Sequence, residues 1–210
     1  MFLCYPYGMK HRCSTEWTGN DPLLIQYHDE EWGKPEHDEQ KLIELFILEL
    51  FQAGLSWSTI LHKRENFRKD FDDFDIRKIS SYDESKINQL VQDRGIIRNR
   101  KKIEAAVNNA SVIQNIQREY GSFSSYIWHF TEGQSVIEDI HVTHDVLSDD
   151  VSEDMKRRGM KFAGSVTVYS FLQAAGIIYS HSKDCFRYQK DHASSFEENE
   201  YHPQQKRRKP

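Results

Sequence analysis

The sequence predicts an all-α protein. Three observations carry this. Residues that start and stop helices recur at intervals along the chain, apolar positions between them follow the helical period, and no stretch shows the alternation of a half-buried strand. At 210 residues, with 38% hydrophobic and 29% charged, the chain is long enough for one well-packed core.

The elements follow in order. DPLLIQYHDEEWG opens with Asp21 as N-cap and Pro22 at the first helical position, and Gly33 stops it. EQKLIELFILELFQAG is apolar nearly all round, so it reads as the central buried helix, ended by Gly54. SWSTILHKRENFRKDF is read as one helix capped by Ser56. ESKINQLVQD follows Asp83, with Gly95 closing it. NRKKIEAAVNNASVIQNIQ has apolar residues at 103, 106, 107, 110, 113 and 116. SFSSYIWHF and SEDMKRRG are shorter helices. GSVTVYSFLQAAGII begins β-branched, but its length and Gln-Ala-Ala centre predict a helix.

No apolar run approaches the roughly 18 residues of a membrane helix. The N-terminus lacks the pattern of a secretory signal, and three cysteines build no disulfide framework. A cytoplasmic setting is expected. The net charge of −5 gives no global pull toward nucleic acid, so polyanion binding must come from local patches. Residues 1–11 read as an extension, 12–185 as the folded body. Residues 186–210 carry six Lys/Arg against four Asp/Glu and few aliphatics, the composition of a disordered tail.

Cys13 and His28 lie on either side of the start of the first helix, and His181 and Cys185 are spaced one helical turn apart. Two thiolates and two imidazoles suit a closed tetrahedral zinc site that would tie the chain ends together. On spacing alone chance pairing remains open, and Cys4 competes with Cys13.

Residues 94–102 hold Arg94, Arg98, Arg100, Lys101 and Lys102 with no acid, between two predicted helices. Gly95 would allow a left-handed turn. A short turn feeding a helix N-terminus aims free N–H groups at a phosphate, as a helix-hairpin-helix does on a DNA backbone. Two further basic patches are His62-Lys63-Arg64 with Arg68-Lys69, and Lys156-Arg157-Arg158 with Lys161. Solvated helix faces are the alternative reading.

Glu49 is the odd residue of the most apolar helix, with Glu44 about 140° away around it. A buried carboxylate is costly unless paired or functional. Tyr27, Trp32 and Trp57, with Trp17 upstream, supply aromatic faces. Rings plus one carboxylate make a pocket for a flat cationic heteroaromatic. Ser170 and Gln173 are within reach of the same pocket. The alternative is an arginine partner for Glu49 and core packing for the rings.

Taken together, RC…W…DPLLIQYHDEEWG, QAGLSW with ILHKRENFR, LVQDRGIIRNRKKIEAAVNNA, RRGMKFAG and YSFLQAAGIIYSH with Cys185 resemble the DNA-3-methyladenine glycosylase I family over about residues 12–185. The resemblance implies a helix-hairpin-helix glycosylase fold, its hairpin near 84–107, with a zinc clip on Cys13, His28, His181 and Cys185. It implies a base pocket of Glu49, Tyr27, Trp57 and Ser170, walled by Trp32 and Trp17, with Glu49 as the catalytic residue. The DNA contacts implied are Gly54, Leu55 and Ser56, Leu55 as the wedge, and Gly95, Arg98 and Lys101. The implied activity is excision of 3-methyladenine from double-stranded alkylated DNA in base-excision repair, by a monomeric N-glycosyl hydrolase of the bacterial nucleoid. No lysine–aspartate pair is placed for Schiff-base chemistry, so no lyase step is expected. Cys13 and Trp17 are further apart than the family's usual Cys-Gly-Trp. A binding module without catalysis and a metal-dependent hydrolase are the competing classes, and four protein ligands leave a metal no open position for the second.

Overall fold

The computed structural model describes residues 11–13, 19–137 and 142–188. Helix α1 spans Pro22–Glu30 and starts where Asp21 accepts from the amide of Leu23 at 3.0 Å. Helix α2, Glu39–Gln52, is capped by Asp38 and buried at every position from Leu42 to Phe51. Gly54, at φ 81°, supplies the left-handed residue that ends the run. The ring of Phe46 meets Phe123 and Phe171, and Phe51 meets Phe67 and Phe71, at centroid distances of 4.8 to 5.8 Å. α2 is thus the axis around which the body is built.

The predicted helix over 56–71 is two: α3, Trp57–Leu61, capped by Ser56, and α4, Arg64–Asp70. The chain breaks at His62 and Lys63, whose side chains are drawn to distant partners. His62 approaches Asp21 at 3.1 Å, and Lys63 donates to the carbonyl of Arg94 at 2.9 Å. A 3₁₀ turn at Asp72–Phe74 and α5, Ile76–Ile79, follow. Helices α6, Glu84–Gln92, and α7, Arg100–Tyr120, are capped by Asp83 and Asn99 and joined by a short turn.

Gly95 in that turn departs from the expectation. It is absent from the residues with positive φ. Space rather than φ favours glycine there, since a Cβ would lie 2.8 Å from the Asp93 carboxylate and 3.1 Å from Asn66, and both would have to shift.

α8 spans Phe123–His129 and α9 Val146–Arg157, the latter starting six residues before the predicted position. Asp145 and Ser148 form a reciprocal capping box that fixes the earlier start. α10, Ser165–Ala174, stops short of Ile177, which the sequence placed inside the helix. Instead Val136–Ile137 (β1) and Ile178–Tyr179 (β2) pair in parallel. Among the described residues this two-residue pair is the whole of the sheet, too short for alternation to show, and the fold is helical as the sequence predicts. α2 packs against α7, α8 and α10. Among the described residues no helix is long and apolar enough to cross a membrane.

The described chain runs to Tyr188, with Phe186–Tyr188 in a helical turn and Arg187 buried. The amide of Phe186 donates to the carbonyl of His11 at 2.8 Å, so the two ends meet. Residues 1–10 and 189–210 of the expected extension and tail, and Trp17, lie outside the described residues.

Candidate active site and metal centre

Helix α1 serves two sites from adjacent residues. Tyr27 faces a cavity and His28 faces a cluster of sulfur and nitrogen. The cavity encloses about 220 Å³ and is lined by Tyr27, Trp32, Glu49, Gln52, Trp57, Ser170 and Gln173. The structure therefore brings together five residues that the sequence singled out for the pocket, with Gln173 beside them. Gln52 was missed as a lining residue, although its place one turn after Glu49 puts it on the same face.

Glu49 is 4% exposed. Among the described residues no hydrogen bond or ion pair holds its carboxylate. Burial alone pushes its pKa up to about 8, so at neutral pH the empty cavity favours the protonated acid. Burial and the nearby Glu49 push the Tyr27 phenol far above its ordinary value, so it stays a neutral hydroxyl. The rings of Tyr27 and Trp57 lie 5.3 Å apart, tilted by 47°. The Nε1 of Trp57 is buried without an acceptor among the described residues. Ser170 donates to the carbonyl of Val166 at 3.2 Å within its own helix, and Gln173 donates to Ser180 at 2.9 Å.

The second site holds Cys13, His28, His181 and Cys185, all buried, with ligand atoms within 4.8 Å of one another. Cys13 Sγ lies 3.2 Å from His181 Nδ1, and Cys185 Sγ 3.6 Å from His28 Nε2. His181 and Cys185 converge from a turn, in which the Cys185 amide donates to Ser182, rather than from the helical turn their spacing predicts. The other nitrogen of each imidazole is held by oxygen: His28 Nδ1 lies 2.9 Å from Asp29, and His181 Nε2 lies 3.2 Å from the Trp32 carbonyl. Arg12 forks onto Asp29 at 2.6 and 2.7 Å. Against the cost of burial, Arg12 and His28 hold the Asp29 carboxyl below its ordinary value. Asp29 and Arg12 are supports that the sequence reading missed.

The donor chemistry fits a metal ion. Two sulfurs and two oriented ring nitrogens converge from both chain ends, with outer partners fixing the tautomers. A hydrogen bond from Cys13 pulls the Cys185 thiol down, and the same contact raises Cys13. Gly33 makes room for this centre. It sits at φ 74°, and a Cβ there would lie 2.9 Å from His181 Nε2.

The basic residues sort differently from their sequence runs. Arg94, Arg98 and Lys101 are exposed and have no acidic partner among the described residues. Arg100 is bound to Glu84 and Glu104, and Lys102 is turned inward, 6% exposed. The second patch is largely neutralised: Arg64 and Arg68 both bind Glu44, and His62 binds Asp21. In the third, Arg157 and Arg158 bind Asp154. Their arginines are held by acids, while Lys69, Lys156 and Lys161 stay exposed. Gly54, Leu55 and Ser56 form an exposed loop beside Trp57, with Leu55 39% exposed.

The family model described as methyladenine glycosylase matches residues 17–188. The chain belongs to this family. Within it, the chain is 41% identical over 182 residues to DNA-3-methyladenine glycosylase 1 of Escherichia coli (strain K12), an alignment covering 84% of this chain and 96% of that relative. A crystal structure of 3-methyladenine DNA glycosylase I superposes with a TM-score of 0.80 at 42% identity, covering 84% of this chain and 98% of that one. A variant of 3-methyladenine DNA glycosylase I in complex with 3-methyladenine superposes at 0.79 with 38% identity, over 82% and 97% of the two chains. This glycosylase-family body thus carries its cavity and its sulfur–nitrogen cluster on one shared helix, α1.

Proposed function

We propose that the protein everts and hydrolytically excises 3-methyladenine from alkylated duplex DNA, leaving an abasic site, with no lyase step. The observation that carries this is the buried Glu49 in a ring-lined cavity, without a partner among the described residues. Alkylation at N3 makes adenine cationic, so the base is a good leaving group without a strong acid to protonate it. What the enzyme must do is expose the lesion, hold it and refuse undamaged bases.

Glu49 accomplishes the last task electrostatically. Buried without a partner among the described residues, the acid is protonated at neutral pH. A cationic base favours the carboxylate and gains a charge-assisted contact. A neutral adenine offers no such charge compensation, so it gains less from the carboxylate than the cationic base does. Tyr27 and Trp57 supply the faces of the pocket, Trp32 its wall, and Ser170 a further lining group. Trp57 Nε1 is a donor available to the base edge. Glu49 also orients the attacking water, a smaller role than recognition, because neutralising the cation opposes its departure.

Leu55, between Gly54 and Ser56, fills the stack the base leaves. Arg98, Lys101 and the turn at Gly95 hold DNA phosphates in the manner of a helix-hairpin-helix, without reading sequence. Cys13, His28, His181 and Cys185 hold one zinc ion, which supplies a cross-link between chain ends and no open position for substrate. The enzyme acts as a monomer in the cytoplasm, at the nucleoid.

Chromatography of bases released from methylated duplex DNA tests the assignment. The wild type releases 3-methyladenine and Glu49→Gln releases it far more slowly while folding normally. Absence of release by the wild type overturns it.

A further inference from the structure

The loop that carries Leu55 and the turn that carries Arg94 and Gly95 are about forty residues apart in sequence, and two lysines fasten them together. Lys102, in the first turn of α7, donates from Nζ to the carbonyls of Phe51 at 2.8 Å and Ala53 at 2.6 Å. These are the terminal carbonyls of α2, at the negative end of its dipole and adjacent to Gly54. Lys63, at the break between α3 and α4, reaches the opposite way. Its Nζ donates to the carbonyls of Arg94 at 2.9 Å and Gly95 at 3.2 Å, and Asn66 adds a bond to Gly95 at 3.4 Å.

The reciprocity is informative. A lysine from the hairpin's outgoing helix holds the loop, and a lysine from the loop's side holds the hairpin turn. Among the described residues neither bonds to a carboxylate. Each grips backbone carbonyls, which fixes the position of the main chain rather than of another flexible side chain. Lys101, next to Lys102, is exposed and without an acidic partner among the described residues. Burying one ammonium of the pair is costly, and a helix end this close to the surface could have been capped by water. The cost is understandable if the position of the loop matters.

We propose that Lys102, seconded by Lys63, is a positioning residue for base excision: it locks the Leu55 loop to the hairpin, so that the grip on DNA phosphates sets where the wedge enters the stack. This rests on the glycosylase reading above. Without the tie, the loop pivots at Gly54 and the wedge arrives out of register, while the pocket and the phosphate contacts stay as they are. Misplacement by about 1 Å can cost roughly a hundredfold in rate.

The test uses the full chain and the variants Lys102→Met and Lys63→Met. Three quantities are measured: single-turnover excision from methylated duplex DNA, affinity for free 3-methyladenine, and affinity for a duplex containing an abasic-site analogue. Fluorescence of 2-aminopurine beside the analogue reports local unstacking. Lys102→Met is expected to slow excision about tenfold or more and to diminish the 2-aminopurine signal, with both affinities within about threefold of wild type. Lys63→Met does the same to a smaller degree. Should Lys102→Met fail to fold, Lys63→Met, on a half-buried side chain, decides. Excision at the wild-type rate, or a loss matched by equal loss of free-base affinity, overturns the inference while leaving the glycosylase reading intact. A wild type that releases no 3-methyladenine overturns both.

Discussion

Two glutamates five residues apart on α2 show opposite ways of burying a carboxylate. Glu44 is 6% exposed and Glu49 4%. Glu44 is gripped by Arg64 and by Arg68, whose Nη2 and Nε lie 2.8 and 3.0 Å away. Glu49, on another face of the same helix, has a cavity where a partner would be. The first acid is compensated by the fold, and the second is left for a cation that arrives from outside. A buried ionisable group without a partner costs stability, so its persistence in a cleft marks a function.

The sharpest contrast comes from a variant that touches neither acid. Cys185→Ala should remove the metal and cost several kcal/mol of stability, seen as a lowered Tm with metal content lost, while excision per folded molecule persists. A metal-free variant as stable as the wild type would dismantle the clip. Next, Glu44→Gln should destabilise the fold by about 3 kcal/mol in urea titration, because it leaves two arginines without their shared acid. Its excision rate per folded molecule should hold. Glu49→Gln should do the reverse, slowing excision roughly a hundredfold, about 2.7 kcal/mol of transition-state stabilisation, with no loss of Tm. If both glutamates behave alike, the comparison fails.

A pH-dependent effect follows from the titration of Glu49. Its folded pKa of about 8 lies above the ordinary 4.5. Between those values the native state binds the extra proton, so the contribution to stability is full at low pH and is lost as pH rises through the window. Relative to Glu49→Gln, the wild type should lose up to about 1.4 kcal/mol per pH unit there. A difference independent of pH would mean that the acid is ionised throughout.

Much of this was legible in the sequence, and the remainder has identifiable causes. The caps at Asp21, Ser56 and Asp83 and the all-round apolar character of α2 are local signals, and local signals are what a sequence carries. The four sulfur and nitrogen ligands were legible as two pairs, though Cys4 could be set aside only by resemblance. That Glu44 and Glu49 face different ways follows from the helical period. Which of them finds arginines does not, because Arg64 and Arg68 reach Glu44 only after the chain has folded back. The break at His62–Lys63, the inward turn of Lys102 and the neutralised basic patches are hidden for the same reason. A run of positive residues looks uniform until tertiary partners divide it. The β1–β2 pair joins segments some forty residues apart and is too short to leave a pattern.

The central claim is that Glu49 waits as a neutral acid for a cationic base, and its carboxyl can be observed directly. Following the carboxyl ¹³C resonance against pH, with and without 3,9-dimethyladeninium, which keeps the positive charge that excised 3-methyladenine has lost, tests this. A midpoint near 8 in the free protein that falls when the base is bound is the predicted result. A midpoint near the ordinary 4.5 in both states would contradict the account.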